Sequence, residues 1–333
     1  MRAGKFLRQR RPLFTPLIEL GRTLSPRLRP CTRNHWAVRT CVIFNPAARG
    51  NKARNFRRHL HDMAVGTAFK ATASAGDARR LATEAIQEGY ELIVAAGGDG
   101  TVNEVLNGLG DAPDGFERVR FGVLPLGTIN VLARELNIPL KLELAWKILQ
   151  NGNEIRIDLP RAEFQVGAKR EQRYFIQLAG AGLDARAIEL TDWQLKKAAG
   201  PLAYVVAGLK AVREKKPLIQ LHLEGTVTAG ELILIGNGKL YGGSFEIFPA
   251  AKLNDGRLDI CLLKKANFPS LFRLAPRLLL QHHVPETMVT RFTAATFELK
   301  SDQPAALELD GEWAGNLPAT ISLLPRKLRL AAR

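Results

Sequence analysis

From residue 37 onward the chain alternates short apolar runs with longer stretches of mixed polarity. Thr40–Phe44 is apolar and rich in β-branched residues, and it stops at Asn45-Pro46, the pattern of a buried parallel strand. Leu92–Ala96 and Phe121–Pro125 repeat that pattern. Other segments carry apolar residues at helical spacing. Ala78, Leu81, Ala82, Ala85 and Ile86 follow an expected N-cap at Asp77; Val102–Leu109 comes next, then Ile129–Leu136, which must end before Pro139. The Arg/Lys-rich stretch 48–61 has helical spacing but a polar character. Strands alternating with helices at this interval predict a parallel, doubly wound sheet.

Past Asp158 the pattern changes. Alternating segments such as Ile219–Leu223, Glu231–Gly236, Leu258–Leu263 and Thr296–Leu299 replace the helical ones. Turn residues at Gly225, Asn237-Gly238, Gly242-Gly243 and Asn254-Asp255-Gly256 separate several of them. This predicts antiparallel strands in a sandwich. The expected organisation is a basic tail (1–36), a nucleotide-binding α/β domain (37–157), a β-rich substrate or lid domain (158–325), and a C-terminal segment (326–333) able to return to the first domain.

A chain of 333 residues is long enough for two such cores. No window offers the 18 or so apolar residues of a membrane span; the best stretch, Ala198–Leu209, is short and contains Gly200-Pro201. Three cysteines, Cys31, Cys41 and Cys261, form no CxxC pair and suit neither a disulfide framework nor a zinc site. They fit a reducing compartment, hence a cytoplasmic location. The net charge of +16 is uneven, because residues 1–40 hold ten Arg/Lys against the single acid Glu19. That segment can be a disordered extension for anionic membrane surfaces, a transit-type segment, or a misassigned start. Pro12, Pro16 and Glu19 exclude a secretory core. Nucleic acid is not expected as a partner, since the charge lacks interleaved aromatic residues and lies outside the folded body.

Candidate chemistry concentrates after the strands. Gly97-Gly-Asp-Gly-Thr-Val-Asn-Glu104 directly follows one strand and opens a helix. Gly97, Gly98 and Gly100 allow backbone N–H groups to approach an anion, and the helix start adds unpaired N–H groups and a positive dipole end. Thr101 can cap the helix or donate to a phosphate, and Asp99 can hold a divalent cation. A plain Gly-rich turn would look the same in isolation. Two further turns, Asn45–Lys52 and Gly127-Thr-Ile-Asn130, also follow strands and would share the carboxyl edge where open α/β sheets bind ligands. Neither a GxxxxGK[ST] loop nor a GxGxxG after the first strand is present. Gly180-Ala-Gly-Leu-Asp-Ala185 matches the relaxed dinucleotide pattern, but it lacks the acid expected about 20 residues on. It reads as a tight turn with Asp184 as a local cap.

The series Asn45-Pro…Gly50, Gly97–Glu104, Gly127-Thr-x-Asn130, Asp255-Gly256 and Leu309-Asp-Gly-Glu312 resembles the bacterial diacylglycerol/sphingosine-type lipid kinases, in order and spacing from about residue 40 to the end. The resemblance implies an NAD-kinase-like nucleotide-binding domain followed by a β-sandwich-like domain. It implies ATP held by Asn45, Arg49, Gly50, Lys52, Thr72, Gly97, Gly98, Asp99, Gly100, Thr101, Asn103, Glu104, Gly127, Thr128 and Asn130. It also implies Mg²⁺ near Asp255, with carbonyls of Lys252 and Arg257, an oxygen set that suits a hard cation. A plain Asn254-Asp255-Gly256 hairpin turn would account for the same motif. Asp310 and Glu312 resemble the acidic pair that supplies the catalytic base, with a slight preference for Asp310; Asp99 completes the acidic set. The expected partner is a lipid substrate met at an anionic membrane, on the inner face, and a homodimer is compatible with this picture. Ile129 and Val131 depart from the family pattern, which has a small residue and an acid there. Two other functions stay open: a kinase of a soluble acceptor such as NAD, and an inactive nucleotide or lipid binder.

Overall fold

The computed structural model describes residues 38–47, 66–151, 153–183, 185–186, 217–243, 245–267, 284 and 286–332. The tail 1–36, the stretch 48–61 with Arg49, Gly50 and Lys52, Asp184 and the segment Ala198–Leu209 lie outside the described residues.

The first half alternates as expected: β1 (Thr40–Phe44), β2 (Ala68–Ala71), α1 (Asp77–Gln87), β3 (Leu92–Gly97), α2 (Asp99–Asp111), α3 (Gly115–Arg118), β4 (Arg120–Pro125), α4 (Val131–Glu135) and α5 (Leu142–Gln150). β2, β1, β3 and β4 pair in that order, all parallel. β1 and β3 are apolar on both faces because helices cover the sheet, and Cys41, Val42, Ile43, Ile93, Val94, Ala95 and Ala96 are fully buried. Each large aliphatic or aromatic side chain enclosed this way contributes about 1.5–3 kcal/mol.

The second half is strand-rich: β5 (Glu154–Val166), β6 (Lys169–Tyr174), β7 (Leu178–Gly182), β8 (Ile219–Leu223), β9 (Thr226–Gly230), β10 (Leu232–Gly236), β11 (Leu240–Tyr241), β12 (Phe245–Glu246), β13 (Leu258–Leu263), β14 (Thr290–Ala294), β15 (Thr296–Ser301), β16 (Ala306–Leu309) and β17 (Glu312–Ala331). Their pairings with one another are antiparallel. β17 connects the halves. It pairs successively with β16, β15 and β5, and Leu330 near its end lies beside Phe121 of β4 in parallel. Two main apolar clusters result. One lies around β1, β3, β4 and their helices; the other is built from β7, β8, β10, β13 and β15–β17.

Several local expectations need correction. Asp77 is the first helical residue rather than the cap; Gly76, with φ of 86°, precedes it. The Asp77 carboxylate instead accepts the N–H groups of Ala73 and Ser74, and these bonds hold its pKa below the ordinary value. α4 starts at Val131, because Asn130 takes a left-handed conformation with φ of 56° that ends the preceding turn. Gly180-Ala-Gly is no tight turn. Gly180 and Ala181 lie inside β7, flanked by β10 and β16, and Gly182, with φ of 93°, ends the strand.

Asp158 ties β5 to two distant segments. Fully buried, it accepts the N–H of Gly256 at 2.7 Å and the N–H of Arg326 at 2.7 Å, one on each carboxylate oxygen. Asp158→Asn turns one acceptor into a donor facing a donor. Its expected effect is a loss of about 1–3 kcal/mol of stability, read as a lower urea midpoint with an unchanged m-value.

Candidate active site

Four turns meet at the carboxyl edge of the parallel sheet, since β1, β2, β3 and β4 all end there. After β1, Asn45 folds its side-chain oxygen back onto the N–H of Ala47 and donates to Thr101 at 3.3 Å. After β2, Thr72 is nearly buried and its N–H bonds the carbonyl of Phe44. After β3, the backbone passes Gly97-Gly98 straight into α2. After β4, Leu126 and Gly127 donate to the carbonyl of Gly97.

The glycines of two turns touch. A Cβ on Gly127 would sit 2.4 Å from the α-carbon of Gly98, so neither position accepts a side chain without moving the backbone. The α2 N-terminus presents the early N–H groups of a thirteen-residue helix toward this edge. Thr101, held under Asn45, lies against Gly97, where a Cβ would be 2.3 Å from its hydroxyl. Thr128 is exposed on the last turn. Small, donor-rich backbone at a helix start is what a polyphosphate requires.

The remaining motif residues serve as ties. The carboxylate of Asp99 accepts the N–H of Val131 at 2.7 Å and of Asn130 at 3.0 Å, and so caps α4. Burial raises its pKa, against the pull of those bonds. Asn130 closes its own turn by donating to the carbonyl of Gly127 and accepting its N–H. Glu104 caps α1 through the N–H groups of Gly76 and Ala78, at the end of the helix where negative charge is favoured. Asn103 donates at 2.7 Å to Asp310.

Asp310 is the most heavily engaged of these acids. One oxygen accepts from Asn103 and from the N–H of Ile176 at 2.9 Å. The other accepts from Gln177 at 3.0 Å and Leu178 at 3.2 Å. Burial raises its pKa and the four donors oppose the rise. Two residues on, Glu312 is exposed, and one of its oxygens stands 2.6 Å from where a Cβ on Gly100 would be, beside the first turn of α2. The slight preference for Asp310 therefore meets an unfavourable geometry, because both of its oxygens face protein donors.

The expected metal turn is anchored by Asp158. Asp255 accepts the N–H of Arg257 in an Asx turn, Gly256 donates to Asp158, and Leu253 packs on the first apolar cluster. Lys252, Asp255 and Arg257 are exposed. The pKa of Asp259 is raised, first by burial and then by the charge of Asp255. Among the described residues no three His, Cys, Asp or Glu gather as a metal site. A carboxylate pair with backbone oxygens nonetheless suits a hard, partly hydrated cation.

Sequence reasoning missed Asp158, Asn107 and Tyr174. Asn107, buried in α2, both donates to and accepts from the backbone of Tyr174, which binds β6 to the helix. An amide inside the apolar run Val105–Leu109 was the available signal.

Comparison with known proteins agrees with this geometry. Residues 39–162 match the diacylglycerol kinase catalytic domain. Residues 177–332 match the YegS C-terminal NAD kinase beta sandwich-like domain. A diacylglycerol kinase of Staphylococcus carnosus is 30% identical over 302 residues, covering 88% of this chain and 94% of the relative. The chain belongs to the diacylglycerol kinase family. A Staphylococcus aureus diacylglycerol kinase is 31% identical over 304 residues, covering 88% and 92%. The crystal structure of a diacylglycerol kinase from Bacillus anthracis shares the fold, with a TM-score of 0.68 at 23% identity over 89% of this chain and 97% of that one. Family membership makes this chain a phosphotransferase with an alcohol acceptor, an ATP-dependent lipid kinase.

Asp310→Ala removes the acceptor of four N–H groups. The expected outcome is a stability loss of about 3–5 kcal/mol in chemical denaturation, in the range of a broken buried network. A carboxyl whose folded pKa lies above its unfolded value binds its proton more tightly when folded. Its contribution to stability is thus fullest below the unfolded value near 3.8 and declines as pH rises through the folded one. That decline should vanish from the stability–pH profile of the variant.

Proposed function

We propose that this kinase transfers the γ-phosphoryl group of ATP to a hydroxyl of a diacylglycerol-like or sphingoid-like lipid, with Glu312 as the base. The observation that carries the assignment is the contrast within one turn. Asp310 has its oxygens occupied by four donors, whereas Glu312 is exposed beside the N-terminus of α2.

The phosphates of ATP lie along Gly98–Thr101 and Gly127-Thr128, where backbone N–H groups and the α2 dipole neutralise charge without reorganising. Asn45 and Thr72 border the same site. Asp99, Asn130, Asn103 and Asp310 act as positioning residues, holding the turns and the Glu312 strand in place. The lipid hydroxyl gives its proton to the Glu312 carboxylate as its oxygen bonds to the γ-phosphorus. The bond from that phosphorus to the β,γ-bridging oxygen breaks, and ADP leaves. Asp255, with carbonyls of Lys252 and Arg257, would hold Mg²⁺. Bound there, Mg²⁺ would supply positive charge that neutralises the carboxylate and ties this turn together.

Two exposed apolar residues support a lipid acceptor. Ile129 (38% exposed) projects from the β4–α4 turn and Trp313 (39%) follows Glu312. No helix among the described residues is long and apolar enough to cross a membrane. The basic segment 1–40 suits peripheral contact with an anionic surface, at about 1 kcal/mol per well-placed basic residue. Cys41 and Cys261, free and buried, with thiol pKa values pushed up to about 11 by burial, suit a reducing compartment.

The test is ATP turnover by the full chain with Mg²⁺ and micelle-presented lipids. Glu312→Gln should lower kcat by about 10²–10⁴-fold with the KM for ATP little changed. An undiminished rate would remove Glu312 as base. Turnover on NAD in place of any lipid would instead favour a soluble acceptor. Gly100→Ala places a methyl against the flexible Glu312 side chain, so it should reduce kcat while leaving the melting temperature nearly unaltered.

A further inference from the structure

Close to the Asp310 turn, one side chain is buried without any bond to the fold. Gln177 is 2% exposed, yet neither its carboxamide oxygen nor its nitrogen has a hydrogen-bond partner among the described residues. Its backbone, in contrast, is fully used: the N–H donates to Asp310 and the carbonyl accepts from the N–H of Asn237 at 2.9 Å. The side chain is therefore delivered to a set position and left unmet there. Asn237, fully buried, donates to the carbonyls of Asp158 and Ile176, while its own side-chain oxygen is also unmet. An enclosed amide without partners is unfavourable compared with an apolar side chain of the same shape, so the fold by itself would prefer Met or Leu at 177.

Gly238, also buried, packs directly against this amide. A Cβ on Gly238 would lie 2.3 Å from the Gln177 oxygen and 3.0 Å from a carboxylate oxygen of Glu135. That carboxylate oxygen also accepts the N–H of Leu240. The same connection reaches the nucleotide turns, since a Cβ on Gly243 would lie 2.8 Å from Ile129 of the Gly127–Asn130 turn. The base is close in sequence terms too: the backbone of Gln177 holds Asp310, two residues before Glu312.

We propose that Gln177, with Asn237 and Gly238, forms the subsite that reads the polar head of the acceptor beside the hydroxyl being phosphorylated. A carboxamide both donates and accepts, and Glu135 adds a second acceptor. The subsite suits a head that carries an O–H or N–H donor next to an oxygen. A monoacylglycerol and a sphingoid amino alcohol share that chemistry, whereas a diacylglycerol offers only ester oxygens to the Gln177 N–H groups. This inference rests on the lipid-kinase reading and deepens it.

The experiment compares wild type, Gln177→Met and Gly238→Ala as full chains, with diacylglycerol, monoacylglycerol and a sphingoid base in micelles. The expected result for Gln177→Met is a KM for the preferred lipid raised about tenfold or more. The KM for ATP should not change, and the melting temperature should hold or rise because an unmet amide has been removed. Gly238→Ala should raise the lipid KM in the same way. A penalty confined to the glycerolipids assigns the subsite to the ester and hydroxyl, and one confined to the sphingoid base assigns it to the amine. A lower melting temperature in Gln177→Met with unaltered lipid KM overturns the proposal, because the amide would then be a structural group. Should that variant not fold, an unaltered lipid KM in Gly238→Ala overturns it equally. Wild-type protein inert toward every lipid removes the kinase reading and this inference together, an outcome distinct from active wild type with indifferent variants.

Discussion

The arrangement of this protein depends on one carboxylate. Asp310 stands at a left-handed turn between β16 and β17 and gathers four N–H donors, three from the backbone at residues 176–178 and one from Asn103 of α2. Those donors come from both halves of the chain. The carboxylate therefore sets the register of the β-rich half against the helix that follows the Gly-rich turn. Separating the halves would break the Asn103 bond to this carboxylate, a charge-assisted contact that contributes more than a typical surface ion pair.

Other polar groups, buried or half-buried, repeat this logic on a smaller scale. Asp99 holds the start of α4, Glu104 the start of α1, Asn107 the end of β6, and Asp158 the Asn254–Gly256 turn. Each side chain fixes a segment end whose backbone would otherwise be free to move, and those held by Asp99 and Asp158 carry candidate site residues. Rigid positioning matters for a phosphoryl transfer because the protein's task there is mainly to hold charges and reactants in line. Glu312 and Asp255, in contrast, are exposed.

Much of the first half was legible in advance. Three apolar runs ending in turns, with helical spacing between them, can hardly satisfy any fold other than a parallel sheet covered by helices. Local detail was less legible. Gly180-Ala-Gly looked like a turn because glycine marks both turns and tightly packed strands, and only the neighbours β10 and β16 decide which. β17 was invisible as a twenty-residue strand, since its partners change along its length and no single alternation runs through it.

By itself the sequence determined the periodicities, the order of the turns and the presence of acids beside glycines, because these depend on spacing along the chain. Which acid is enclosed and which is open depended on groups 130 to 210 positions away, such as Ile176 and Asn103 around Asp310. Hydrogen-bond satisfaction is a property of a three-dimensional neighbourhood, so Asp310 and Glu312 are indistinguishable as letters. Only the packed structure shows that Asp310 gathers four donors while Glu312 is exposed.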